Sequence, residues 1–445
     1  MKSNKSIFKH TLIVLSIICC LLIAAVSIMY AFSNPDLATS YRTDTAENYA
    51  GKDVGTPSSN TSAADSSYAC DSSGNSPDSS GQAANTAVND TASPSREVPA
   101  ASVTISAVGD IMAHQSNLNN AYNPKTGTYD FNGFLEYVTP YLKNSDLTIG
   151  NFETVTAGAE SGYTSFPKFN TPDAILTALS NSGFDVLSTA NNHCLDRGIN
   201  GLTRTIKKIS GNKMINVGSS ADGKNKYITK EINGIKVSIL AYTYGFNGND
   251  AKLSSKQKST YLCPLNEVHI KNDIAAVKAK GTDAVIVVIH WGTEYQRKPS
   301  TSQTSLSRKM LSWGADIILG SHPHVIQKSE IVRVNDKNKF VIYSTGNFIS
   351  GYRRTDRNDR PNKIYTEDGV IVSLKIEKDP KGGIILKNAD YIPTWVEKNY
   401  INNRPVFKII PIPDANIDEP YITDKNRELV KQSYKNTMGI MAELK

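Results

Sequence analysis

Histidine and cysteine are scarce in this chain, at seven and five among 445 residues. Cys19 and Cys20 lie inside one apolar run and Cys70 in a polar stretch, so only Cys194 and Cys263 fall in sequence that reads as folded. A disulfide-stapled miniprotein is excluded, while a single Cys194–Cys263 pairing stays open. Long apolar runs are as few. Residues 11–32 form one, and nothing after them is long enough to cross a bilayer, which excludes a polytopic membrane protein. Acidic residues fall short of basic ones, 42 against 49, for a net charge of +7. That small excess hides a partition: residues 1–32 carry +3, residues 33–100 carry −6, and residues 101–445 carry +10. No nucleic-acid recognition motif accompanies the basic part, so nucleic acid is not an expected partner.

The 22 uncharged residues 11–32 would span about 30 Å as a helix. Lys2, Lys5 and Lys9 precede them and Asp36 is the first charge after them, which orients the N-terminus to the cytoplasm. A cleaved signal peptide is the competing reading. Its apolar region is usually about 7–15 residues and ends in a small-x-small site, so the length favours an uncleaved anchor. Residues 33–100 are rich in Ser, Thr, Ala, Asn and Asp and nearly lack large apolar side chains. They bury too little surface to offset chain entropy and read as a disordered linker.

From residue 102 apolar strand-like runs alternate with helical stretches, the pattern of an α/β layered domain. A single helix is expected near 133–142, others near 172–182, 201–210, 265–280 and 302–313. The organisation predicted is a cytoplasmic tail (1–10), an anchor (11–32), a linker (33–100) and a main domain (101–352). A strand-rich completion of that domain (353–415) and a polar C-terminal tail (416–445) follow.

Five of the seven histidines stand at or just beyond the ends of apolar strands, where ligands gather in open α/β sheets. The turns are Gly109-Asp110-Ile111-Met112-Ala113-His114, Gly150-Asn151-Phe152-Glu153, Asn191-Asn192-His193-Cys194-Leu195-Asp196, His290-Trp291-Gly292-Thr293-Glu294 and Ser321-His322-Pro323-His324. Any one of these alone reads as a helix cap, an ordinary turn or a buried histidine. Five in succession offer the mixed carboxylate, carboxamide and imidazole set that suits a divalent cation of intermediate softness. Trp291 and Glu294 are expected to frame the cleft, and Asn347 either orients a ligand or bonds backbone.

The ordered set GDIM, GNFET, NNHCLDRG, HWGTEY, SHPHV and STGNF resembles the CapA-type poly-γ-glutamate capsule biosynthesis proteins, and more widely the calcineurin-type metallophosphoesterases. The likeness runs over about 103–351. It implies a four-layer β-sandwich flanked by helices, with Mn, Zn, Fe or Mg at its centre. Carried over, Asp110 would ligate one ion and Glu153 would bridge two. Asn192, His290 and His322 would complete one site, and His324 would serve the other. His193 would be a general acid or oxyanion donor, supported by Asp196. Gly109 and Gly150 would let the backbone approach the metals. Two departures stand out: Met112 occupies the place of the histidine in D-x-H, and Glu153 in G-N-x-E replaces the Asp of G-D-x-x-D.

The function expected is an anchored, extracytoplasmic protein in synthesis, export or attachment of a polyanionic surface polymer, poly-γ-glutamate or a wall polymer. The basic domain attracts such polymers, and membrane proteins of a polymer synthase or export complex are expected partners. A metal-dependent phosphodiesterase unrelated to capsule and a non-catalytic scaffold are the alternatives.

Overall fold

In the computed structural model, which describes residues 101–224, 226–356, 361–414 and 419–443, strand β1 (Ser102–Ile111) opens the domain. A short hairpin, β2 (Tyr122–Asn123) and β3 (Thr128–Tyr129), separates it from β4 (Leu147–Phe152), β5 (Val186–Ser188) and β6 (Ile215–Val217). Strands β7 (Ile228–Ile232), β8 (Ile235–Thr243), β9 (Ala284–His290), β10 (Ile317–Ser321), β11 (Ile326–Val334) and β12 (Lys337–Thr345) come next. The last four are β13 (Asn347–Ile349), β14 (Asp368–Lys378), β15 (Ile384–Ile401) and β16 (Arg404–Pro411). The anchor expected at 11–32, with the tail and linker on either side of it, lies outside the described residues. Among the described residues no helix is long and apolar enough to cross a membrane.

Two sheets form. The first runs β16-β15-β14-β1-β4-β5-β6 with β13 also paired to β1, and the second runs β11-β12-β10-β9-β8-β7. Each has a parallel centre, β1-β4-β5-β6 in one and β8-β9-β10-β12 in the other. Parallel centres are covered on both faces, and β9 shows why its sequence is apolar throughout. All seven residues of AVIVVIH are buried. Ala284, Ile286 and Val288 face the core between the sheets, while Val285, Val287 and Ile289 face outward. The two-residue alternation of a strand thus serves two cores at once.

The helices are α1 (Gln115–Ala121), α2 (Asn132–Leu135), α3 (Thr139–Lys143), α4 (Ala174–Asn181), α5 (Gly198–Gly211), α6 (Ser255–Tyr261), α7 (Glu267–Ala279), α8 (Thr301–Trp313) and α9 (Arg427–Met438). Leu176 and Leu179 of α4 and Ile209 of α5 cover the outer face of the first sheet. Ile270, Ile274 and Val277 of α7, at the spacing of one helix face, join Leu306 and Met310 of α8 over the second. Ser300 and Gln303 form a capping box at the start of α8, and Gly314 at φ 119° ends it. The layers are therefore helix, sheet, sheet, helix.

One expectation needs correction. The one helix expected near 133–142 is two short ones, because Pro140 opens α3 and a proline inside a continuous helix would clash with the preceding turn. The polar C-terminal tail forms an amphipathic helix docked on the domain. Val430 of α9 packs with Trp395, Ile410, Ile412 and Ile422, and Asn436 Nδ2 donates to Asp368 at 2.9 Å. Cys194 and Cys263 are buried free thiols.

Candidate metal centre

Parallel register brings the polar strand ends together. Asp110 in β1 stands opposite Asn151 in β4 on one side and Asn347 in β13 on the other. His290, the last residue of β9, stands opposite Ser321, the last of β10. Glu153 follows β4, Asn192 and His193 follow β5, and His322 and His324 occupy the turn between β10 and β11. In that turn both histidines have positive φ, 100° and 56°. Such backbone in a non-glycine residue costs about 1–3 kcal/mol and is retained where it aims a side chain.

Two groups of ligand atoms result, Glu153–His290–His322 and Asp110–Glu153–His324, each with its atoms within 4.8 Å of one another. Glu153 belongs to both. Asp110, Glu153, Asn192, His290, His322 and His324, the six ligands expected from sequence, are all buried. His290 Nε2 lies 3.0 Å from Asn192 Oδ1 and 3.4 Å from Glu153 Oε1, and His324 Nε2 lies 3.8 Å from the same Glu153 oxygen. Asp110 Oδ2 accepts from His324 Nδ1 at 3.0 Å and from the His322 amide at 3.3 Å.

The electrostatics are those of a pocket short of a cation. Burial would raise the Asp110 carboxyl, but the His324 hydrogen bond and the nearby imidazoles hold it down at about 2. Burial and the Asp110 charge push Glu153 well above the usual carboxylate range. Burial lowers His290 to about 3 and holds His322 well below the usual imidazole range, which favours the neutral form that ligation requires. Burial opposes the charge on His324, yet Glu153 and Asp110 raise it to about 9. Glu153 Oε1 and His322 Nδ1 are buried with no hydrogen-bond partner among the described residues. Buried polar atoms are almost always satisfied, so two orphans facing a carboxylate and imidazole set fit a divalent ion.

The neighbours fall into supporting positions. Asp196 Oδ2 accepts from His193 Nδ1 at 2.8 Å and from the Phe169 amide at 2.7 Å, which fixes the imidazole. Arg197, next in the chain, donates to Thr164 Oγ1. The Tyr244 ring, half exposed, lies 4.5 Å from that of His322. His114 does not join either group: its Nδ1 accepts from the Gly351 amide and its ring packs on Tyr352. Met112 is buried in the core.

Two residues without an assigned role in the sequence reading, Asn151 and Ser321, prove central, and Asn347 both faces a candidate ligand and bonds backbone. Asn151 Nδ2 lies 2.8 Å from Asp110 Oδ1, 3.2 Å from His290 Nδ1 and 3.5 Å from Glu153 Oε2. Ser321 Oγ lies 3.0 Å from His290 Nδ1, and Asn347 Oδ1 lies 3.1 Å from His324 Nδ1. Such outer partners set the tautomer and orientation of a ligating imidazole. The position of Asn151 in the G-N-F-E turn was the only signal for it.

Two sequence expectations are corrected. Gly109 and Gly150 make room for protein, since a Cβ on them would lie 1.9 Å from the Gly346 carbonyl oxygen and 2.8 Å from the Phe184 ring. Trp291 does not frame the cleft. Its ring is buried against Tyr343 in the outer core, where Nε1 donates to the Tyr343 carbonyl at 2.9 Å. Glu294 does lie near the centre, as its charge is felt at His290 and His324.

Residues 104–352 match the family described as "Bacterial capsule synthesis protein PGA_cap". The chain is 33% identical over 292 residues to the "Capsule biosynthesis protein CapA" of Bacillus anthracis, covering 62% of this chain and 68% of that protein. It is 27% identical over 312 residues to the "PGA biosynthesis protein CapA" of Bacillus subtilis, covering 68% and 76%. Among solved structures, the calcineurin-like phosphoesterase YfkN from Bacillus subtilis is similar at a TM-score of 0.43 and 15% identity, over 77% of this chain and 99% of that one. The family match spans the five ligand-bearing turns and more than half of the sequence, and the chain belongs to the bacterial capsule synthesis protein family.

Proposed function

We propose that this protein acts in the synthesis, export or attachment of an anionic surface polymer such as poly-γ-glutamate, through a divalent-metal centre held by Asp110, Glu153, Asn192, His290, His322 and His324. The observation that carries the reading is the burial of these six side chains around two unpartnered ligand atoms, Glu153 Oε1 and His322 Nδ1. The names of the CapA relatives support the polymer. The apolar run 11–32 supports a membrane anchor with the domain outside the cell, where membrane proteins of a polymer synthase or export complex would be its partners.

A bound divalent ion supplies Lewis acidity toward a phosphoryl or carbonyl oxygen and lowers the pKa of a water. The residues of the chain do the rest. Asn151 and Ser321 orient His290, and Asn347 and Asp110 orient His324. Asp196 holds the His193 Nδ1 proton, which leaves Nε2 as the nitrogen that exchanges a proton with a leaving group. Hydrolysis or transfer at a phosphoester or amide is the reaction class. A second reading, a scaffold with a one-ion centre, draws on the placement of His114 and Met112, which leaves the Asp110–Glu153–His324 group with one imidazole.

The test combines elemental analysis with genetics. Purified under metal-replete conditions, the protein is expected to hold at least one divalent ion per chain and to lose it on His290→Ala. Deleting the chain is expected to reduce surface polymer. A metal-free wild type would sink the centre, and unchanged surface polymer would sink the biological role. Metal without turnover of phosphodiesters or γ-linked glutamate favours the scaffold.

A further inference from the structure

A cavity of about 330 Å³ is lined by Arg353, Arg354, Lys398, Lys425, Trp395 and Tyr400. It begins one residue from the centre's own wall, since the Tyr352 ring lies 5.6 Å from that of His324 and Arg353 is next in the chain. Two acids, Glu367 and Glu397, also line it, and both are engaged. Glu367 serves Arg353 at 3.4 Å, Arg354 at 2.5 Å and the Trp395 indole at 2.9 Å, and Arg354 also lies 3.8 Å from the buried Asp368 carboxylate. Glu397 accepts from Asn426. The lysines have no carboxylate partner among the described residues: Lys425 donates to Asn399, and Lys398 sits over the rings of Tyr400 and Phe407. The lining therefore carries four cations against two anions.

A third lysine extends this charge to the centre. Lys363 lies over the rings of Tyr352 and Tyr295, at 5.1 and 5.7 Å, and both rings pack against His324. The charges of Arg353 and Lys363 are felt at His114, where burial is the larger cause of a pKa near 3. Lys363 over the Tyr352 ring, and Arg353 next to Tyr352 in the chain, thus put positive charge close to His324, and low-dielectric aromatic walls in the cavity focus such a field on an anion.

We propose that this cavity binds carboxylates along an acidic poly-amino-acid chain whose reacting end lies at the metal centre, with Lys363 holding the carboxylate between the two. The proposal rests on the polymer reading above and adds the site that would hold the chain. Trp395 and Tyr400 supply the apolar walls for the methylene segments between carboxylates.

A fluorescently labelled γ-linked glutamate oligomer, followed by anisotropy against the full protein, tests it. The wild type is expected to bind with or without chelator, and to bind at least tenfold more weakly in 0.5 M salt. The double variant Lys398→Glu/Lys425→Glu should weaken binding at least tenfold and Lys363→Gln severalfold, with metal content unchanged in each. Arg353 and Arg354 are left intact because they anchor Glu367 and Trp395. Unchanged affinity in the double variant, or binding that disappears on His290→Ala alone, overturns the cavity as the site. Tripolyphosphate competing as well as glutamate oligomer of equal charge overturns the carboxylate class. If the cavity binds the oligomer but deletion of the chain leaves surface polymer unchanged, the biological reading fails and the site stands.

Discussion

Replacing Asp110 by Asn in the metal-free protein probes the charge balance of the centre. The carboxylate is fully buried, takes Asn151 at Oδ1, and takes His324 and the His322 amide at Oδ2. Against the cost of burial, Glu153 and Asp110 together raise His324 from 6.5 to about 9, which corresponds to about 3 kcal/mol. Because the folded value is the higher one, that stability is complete below pH 6.5 and is lost as pH rises through about 9. Asp110→Asn removes the carboxylate in hydrogen-bond contact with His324 and turns one amide N–H₂ toward groups that are themselves donors. The expected loss is about 2–3 kcal/mol at pH 6, where the imidazolium is left poorly paired, and clearly less at pH 10, where His324 is neutral in both proteins. Urea denaturation followed by far-UV circular dichroism, with chelator present at both pH values, measures it. A variant as stable as the wild type at pH 6, or a loss of equal size at both pH values, refutes the pairing.

Glu153→Gln is expected to abolish metal binding, since both ligand groups use this carboxylate, whereas His324→Ala should keep the Glu153–His290–His322 group loaded; elemental analysis separates the two. Gly320→Ala should cost more than about 3 kcal/mol in a denaturant melt, because the new Cβ would lie 2.1 Å from the Tyr343 carbonyl oxygen, a backbone atom of the adjacent strand that has no room to yield. Burial pushes the Cys194 thiol up to about 12, so iodoacetamide at pH 8 is expected to leave it unlabelled in the folded protein and to label it in urea. Fast labelling under native conditions would contradict that burial.

The layers were readable because the central strands are buried on both faces and so are apolar throughout, as in AVIVVIH of β9. The clustering of the candidate ligands was readable for a related reason: each such run ends abruptly in a carboxylate, amide or imidazole, and parallel strands place their ends on one edge. The unreadable features depend on partners distant in sequence. Asn151 matters through its register against Asp110, which is set by a bulge at Gly109 pressed by the Gly346 carbonyl. Trp291 follows a ligand in sequence, but alternation along the chain sends it to the opposite side of the sheet. Local pattern gave no sign that Pro140 would divide a helix in two, although its missing N–H was in plain view. The apolar positions of α9 were too sparse to reveal a docking face until β15 and β16 were beside them.

The six candidate ligands come from both sheets: Asp110, Glu153 and Asn192 lie in or after strands of the first, and His290, His322 and His324 in or after strands of the second. An ion held there acts as a rivet through the seam of the sandwich, and neither layer can move away without releasing it. Loading and folding become one equilibrium, in which an ion at a hundredfold over its dissociation constant adds about 2.7 kcal/mol to the native state. Metal supply would then set how long the domain survives as well as what it can do.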